Sequence, residues 1–382
     1  MSAYTAANMA GRLQVTPGAP APHNLSSSRQ DWASRLSTGQ PFRAIPGLMA
    51  NLFSLCGNAH RVAAQLAIDA AAPDRCLAPS SDIGKRLRLE TAQEHIRRIG
   101  LDWPRLLATE TASATMGNLA VQSLSTCPAL KNAHTEDWPA LHDWLKNTLL
   151  QIDPAAWLHA WLVDAGDWLQ TWSQTHGGWL ARLLRDARHV DTPDRPLTSV
   201  RALRAHGQVE HLLALSSALS FQPGFALQPV WQGASAHTGP WARLQTPSDQ
   251  APLSPWTMLG CRLAELVRLC LPTTAPDHGA QWLRWGSLST MPGQGLGWVE
   301  MARGLLVHQV MLSDDGTTAK TCNVLAPTEW NFNPHGEVAQ RLAVMDPHAP
   351  YVRQQVRLLM VAFDPCVPFE LTSGITKEGQ DA

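Results

Sequence analysis

Two short stretches hold the residues with the most chemistry to offer. In Phe53-Ser-Leu-Cys-Gly-Asn-Ala-His60, a thiol and an imidazole stand four positions apart at the head of an Ala- and Leu-rich run. At helical spacing, positions i and i+4 share a face, so Cys56 and His60 would lie side by side. In Phe363-Asp-Pro-Cys-Val-Pro-Phe369, Cys366 follows a proline and sits two positions from the carboxylate of Asp364. Thiolates serve as nucleophiles and as ligands for soft or borderline metals. Taken singly, Cys56 and His60 read as core packing and Cys366 as a loop cysteine.

The wider composition narrows the chemistry. Seven cysteines (56, 76, 127, 261, 270, 322 and 366) are scattered through 382 residues with no Cys-x-x-Cys among them. This is neither a disulfide framework nor zinc-finger spacing, and it makes the reducing cytoplasm the expected compartment. The five cysteines other than Cys56 and Cys366 are expected to be buried as small hydrophobes. A net charge of −1 argues against nucleic acid or an anionic membrane as the main partner. No apolar run reaches the roughly 18 residues that span a bilayer, so no membrane insertion is expected. The chain also opens without the basic-then-apolar order of a signal peptide.

The elements that must position these residues are mostly helical. A helix is expected from about Ile45 to Ala72, ending before Pro73. A second helical region begins at Asp153-Pro154, an N-cap and first-turn pair, and runs to His189, with Gly166 and Gly177-Gly178 as points where it could break or kink. A third begins at Ser254-Pro255 and runs through Cys270. Two runs of strand character, Leu305–Leu312 and Thr317–Leu325, flank Ser313-Asp-Asp-Gly316, and Asp-Gly between such runs predicts a hairpin. The fold class is therefore α+β and helix-dominated, with a long-helix core and a small antiparallel β region. Residues 1–15 are expected to hold an N-terminal strand, 16–40 a flexible loop and 373–382 a short tail. Trp157, Trp161, Trp168, Trp172 and Trp179 would fall within about 60° on one face of a continuous helix. That stripe is either a core seam or a docking face for another protein.

A third block decides how the cysteines are read. Gly295-Leu-Gly-Trp-Val-Glu-Met-Ala-Arg-Gly-Leu-Leu-Val-His308 runs into the hairpin, which leads to Ala326-Pro-Thr-Glu-Trp-Asn-Phe-Asn-Pro334. Here the chain resembles the large subunit of nickel–iron hydrogenases, in which G-x-G-x-x-E-A-P-R-G-x-L-x-H, a hairpin and P-T/S-x-W-N-x-x-P occur in this order. A dinucleotide-binding G-x-G-x-x-G fails, because Trp298 or Glu300 takes the third glycine's place. The family's C-G-x-C-x-x-x-H aligns on Phe53 to His60, keeping Cys56 and His60 with Phe53 in the first cysteine's place. Its D-P-C-x-x-C-x-x-H aligns on Asp364 to Thr372, keeping Asp364 and Cys366, with Phe369 and Thr372 replacing a cysteine and a histidine. The acid of its early E-G-x-L turn is replaced by Ala10.

The resemblance implies a hydrogenase large-subunit-like domain over 41–372 that has lost two of four metal-binding thiolates. Nickel, held by four thiolates in the family, would not be retained, and hydrogen cleavage would be lost. The pattern is similar to the accessory proteins of the HoxV/HupK type. It implies an assembly scaffold that binds an Fe(CN)2(CO) unit transiently on Cys56 and Cys366. Such a scaffold would take the unit from Hyp-type accessory proteins and pass it to the apo large subunit. Arg303 would lie over the site and hydrogen-bond cyanide nitrogens. His60 would hydrogen-bond a cysteine sulfur, Asp364 would support that region, and Glu300 is a further, more structural candidate. Two other readings stay open: a metal-free paralogue that only docks, and an enzyme using Cys56 and His60 as a reactive thiol pair.

Overall fold

The computed structural model describes residues 11–75, 82–109, 111–131, 137–191, 201–244, 254–272 and 282–372. Ala10, Cys76 and the tail 373–382 lie outside them. The chain is α+β and dominated by helices, as expected. A three-stranded sheet has the order β2-β1-β7, formed by β1 (Leu13–Val15), β2 (Leu25–Ser27) and β7 (Phe369–Leu371). A four-stranded antiparallel meander follows the order β3-β4-β5-β6, from Trp285–Met291, Gln294–Met301, Gly304–Leu312 and Ala319–Leu325. The expected hairpin is its β5–β6 edge, with Val310 opposite Cys322. At its tip Gly316 takes φ +66, and the Asp315 carboxylate accepts from the Thr317 N–H and the Ser313 hydroxyl.

Four helices frame the site: α1 (Gly57–Ala71), α2 (Ile83–Arg97), α3 (Pro255–Cys270) and α4 (Val352–Phe363). Helix α3 starts where expected, with Ser254 and Thr257 forming a reciprocal capping box. It is buried on every side, charged residues included.

Helix α1 lies on the meander at unusually close range. A Cβ built on Gly297 would stand 2.2 Å from the Ala63 carbonyl oxygen, and one on Gly295 2.0 Å from that of Ala67. Glycine on the strand and alanine on the helix together let the two backbones touch. That contact fixes the head of α1, and with it Cys56, relative to β4 and β5.

Three expectations change. The run from Asp153 to His189 is three helices, Pro154–Val163, Ala165–Thr175 and Trp179–Arg188, rather than one. Asp164 breaks it by capping the second helix through the Asp167 N–H, and Gly178 caps the third. The tryptophans therefore do not share one helical face. Trp157, Trp161, Trp172 and Trp179 are buried, and Trp168 packs against the same core. Trp157 stacks on Trp161 at 5.7 Å and meets Trp172 edge-on at 5.9 Å. The stripe is core, which removes it as a docking face. Residues 16–40 are not simply a loop, since they contain β2 and the helix Trp32–Ser37. Cys127, Cys261, Cys270 and Cys322 are buried, as expected of small hydrophobes. Among the described residues, no helix is long and apolar enough to cross a membrane.

The glycine contact gives a direct test. Gly297→Ala should destabilise the fold by about 1–3 kcal/mol through overpacking, visible as a lower denaturation midpoint. Gly166→Ala, whose added Cβ meets nothing within 4 Å, should not.

Candidate functional site

Cys56 closes a single 3-10 turn, Ser54–Cys56, and caps the head of α1. It therefore sits at the junction between two helices rather than within one, which corrects the expected i, i+4 geometry. Gly57 makes the junction possible, because a Cβ there would come within 2.8 Å of the Ala50 carbonyl oxygen. Glu90 of α2 accepts the N–H groups of Asn58 and Ala59, both at 2.8 Å, and so satisfies the free donors of the first turn.

Cys366 is placed by the end of α4. Asp364 terminates that helix at φ +51, a left-handed conformation that Asp tolerates better than most residues, and Pro365 prevents continuation. The Cys366 sulfur accepts from Arg29 Nη1 at 2.8 Å and from the Thr328 hydroxyl at 3.1 Å.

The two thiols line one cavity of about 380 Å³, together with Phe53, His60, Arg303 and Thr328. Cys56 with His60, Arg303 and Cys366 are thus brought together from three distant parts of the chain. Burial pushes the Cys56 thiol well up, and the Arg303 guanidinium only partly opposes it. Arg303 stands in the turn between β4 and β5. Its Nη2 donates to Glu94 at 2.5 Å, and its Nε lies 3.4 Å from Asp364. Its Nη1 is buried with no hydrogen-bond partner.

Beneath the cavity lies a buried charge cluster. Asp364 takes Arg262 at 2.8 Å and Arg98 at 3.1 Å in addition to Arg303. Burial pushes its carboxyl up, but the three guanidiniums outweigh this and hold it well below the usual carboxylate range. Arg262 continues to His95, His95 to Glu265, and Glu265 to Arg243.

Two expected roles change. His60 makes its ring hydrogen bond to His308, at 3.0 Å, rather than to a cysteine sulfur, and it stacks on Phe53 at 3.9 Å. Burial holds both imidazoles neutral, His308 at about 3 and His60 well below its ordinary value. Glu300 lies outside the thiol cavity, where it pairs with His206 at 3.2 Å and accepts the Arg284 N–H. Burial pushes its carboxyl up, while His206 and Arg243 bring it below its ordinary value. Of the two phenylalanines in vacated cysteine places, Phe53 lines the cavity and Phe369 lies half-buried in β7 opposite Leu13. The sequence reading overlooked Arg29, Thr328, Glu94 and Arg262. Only Thr328 carried a signal, as part of the Pro327-Thr-Glu-Trp-Asn block.

With this geometry in view, the comparisons with known proteins decide the family. The chain is 39% identical over 370 residues to "Hydrogenase expression/formation protein HoxV" of Cupriavidus necator, covering 94% of this chain and 95% of that one. It is 30% identical to "Hydrogenase expression/formation protein HupK" of Bradyrhizobium diazoefficiens, over 88% of this chain and 89% of that one. The chain belongs to the HoxV/HupK hydrogenase expression/formation proteins. No protein-family model matches it. In fold the chain is similar to an NAD+-reducing [NiFe]-hydrogenase, with a TM-score of 0.52 at 14% identity over 90% of this chain and 91% of that one. It is equally similar to the Ni-Fe-Se hydrogenase of Desulfomicrobium baculatum, with a TM-score of 0.52 at 15% identity over 90% and 93%. These likenesses establish a large-subunit-like fold.

Two outcomes test the supports. Asp364→Asn leaves buried guanidiniums without their shared anion and should cost about 3–5 kcal/mol in denaturant unfolding. Burial lifts the Glu90 carboxyl from 4.5 to about 7, against its two backbone hydrogen bonds. The folded chain then binds this proton more tightly than the unfolded one, so the stability contributed falls as pH rises through that window. Melting curves of Glu90→Gln should lose less stability than wild type between those two pH values.

Proposed function

We propose that this protein is an assembly scaffold for a nickel–iron hydrogenase. In this reading it holds an Fe(CN)2(CO) unit as cargo between Cys56 and Cys366 and delivers it to the apo large subunit. The observation that carries the reading is one cavity lined by two thiols and by Arg303, whose buried Nη1 has no partner. A buried guanidinium N–H without an acceptor is costly and rare, and a cyanide nitrogen would supply the acceptor.

The donor set suits such a cargo. Among the described residues, no group of three or more His, Cys, Asp or Glu side chains is placed to hold a metal ion. Two sulfurs are too few for a borderline metal that relies on four thiolates. They suffice for an iron that already carries three diatomic ligands. The cargo and its thiolates are anionic, and the guanidiniums of Arg29 and Arg303 line the cavity beside them. Half-complete ligation also fits a carrier, since it holds the unit and still lets it go. The unit would come from Hyp-type accessory proteins, and hydrogen cleavage belongs to the recipient. A reactive-thiol enzyme gains no support, because His60, the base it would need, makes its ring hydrogen bond to His308 rather than to Cys56.

Protein purified from cells expressing the accessory genes should contain stoichiometric iron by elemental analysis and support hydrogenase maturation. Cys56→Ser and Cys366→Ser should each lose the iron and the maturation while keeping the wild-type melting temperature. Serine variants that still support maturation would favour a metal-free docking role instead.

A further inference from the structure

Arg29 is the residue that neither sequence pattern nor the family blocks point to, and it makes a direct contact with a proposed ligand atom. Its Nη1 donates to the Cys366 sulfur at 2.8 Å and its Nε to Glu329 at 2.6 Å. Burial works against its charge, but Cys366 and Glu329 outweigh that and keep the guanidinium firmly protonated.

The fold goes to some length to hold it there. Arg29 follows β2, and Cys366 precedes β7. Both strands pair with β1, so one small sheet brings the two residues together across the chain. Gly11, at φ +72, leaves room for the Arg29 backbone, which a Cβ would approach to 2.9 Å. The side chain is not simply filling space. It stands in the wall between the thiol cavity and a second cavity of about 370 Å³ that Thr328 and Glu329 also line.

We propose that Arg29 is a positioning residue that sets how strongly Cys366 holds the cargo, an inference that rests on the carrier reading above. A guanidinium donating to a thiolate draws electron density from the sulfur and weakens its donation to a metal. On transfer, the iron–sulfur bond breaks with its electron pair returning to Cys366. A cysteine thiolate of the recipient supplies the replacing pair, and no oxidation state changes. Arg29 favours this exchange by stabilising the departing sulfur. Its position makes Cys366 the ligand that lets go more readily, while Cys56, to which no side chain among the described residues donates, holds longer.

The test is infrared spectroscopy of the full chain purified with the accessory proteins co-expressed, as wild type, Arg29→Gln, Arg29→Lys and Glu329→Gln. Loss of the guanidinium in Arg29→Gln makes the sulfur a stronger donor and the iron richer, so the CO stretching band should move to lower wavenumber. Transfer to the apo large subunit should slow. Arg29→Lys, which keeps a charged donor, should sit closer to wild type, a rescue that a merely structural role would not give. Glu329→Gln leaves the guanidinium to the sulfur alone and should move the band the opposite way. It decides the matter should Arg29→Gln fail to fold. An unchanged band across the variants would overturn the role of Arg29 and leave the carrier intact. Wild-type protein with no CO or CN bands would overturn both.

Discussion

The Asp364 carboxylate is shared by three guanidiniums, those of Arg262 and Arg303 buried and that of Arg98 partly so, and the site is assembled around that sharing. Arg98 comes from the end of α2, Arg262 from α3 and Arg303 from the β4–β5 turn, while Asp364 itself ends α4. None of these charges could be buried singly at tolerable cost. Held together, they lock the C-terminal end of α4 against the two central helices and the meander. The same step places Cys366 two residues beyond the lock and Arg303 beside the cavity.

The opposite wall is built by a different force. No charge holds Cys56. Its position comes from backbone-to-backbone packing, with α1 pressed on β4 and Gly57 pressed on Ala50. Glu90 then seals the head of α1. One thiol is thus set by an ionic lock and the other by steric fit. The two walls come from opposite ends of the chain, and their meeting depends on the whole fold.

Much of this was legible in the residues, for identifiable reasons. The β5–β6 hairpin and the start of α3 follow from local signals, an Asp-Gly turn and a Ser-Pro cap. The pairing of Cys56 with Cys366 and Arg303 followed from three short blocks. Local periodicity failed where a residue had a competing use. Asp164 caps a new helix and ends the tryptophan stripe, and the buried tryptophans had no separate sequence signature from exposed ones. His60 turned to His308, a partner 248 positions away. Arg29 reaches Cys366, and Glu94 reaches Arg303, through contacts of that kind, which spacing along the chain does not encode.

On the proposed carrier reading, two thiols and one guanidinium with a free Nη1 suffice for an iron that brings its own ligands. Infrared spectra of the purified protein, co-expressed with the accessory genes, test it most directly. The account predicts one CO and two CN stretching bands in the wild type, and their disappearance in Cys366→Ser with the fold unchanged. Absence of those bands from the wild type, or their persistence in the serine variant, would contradict it.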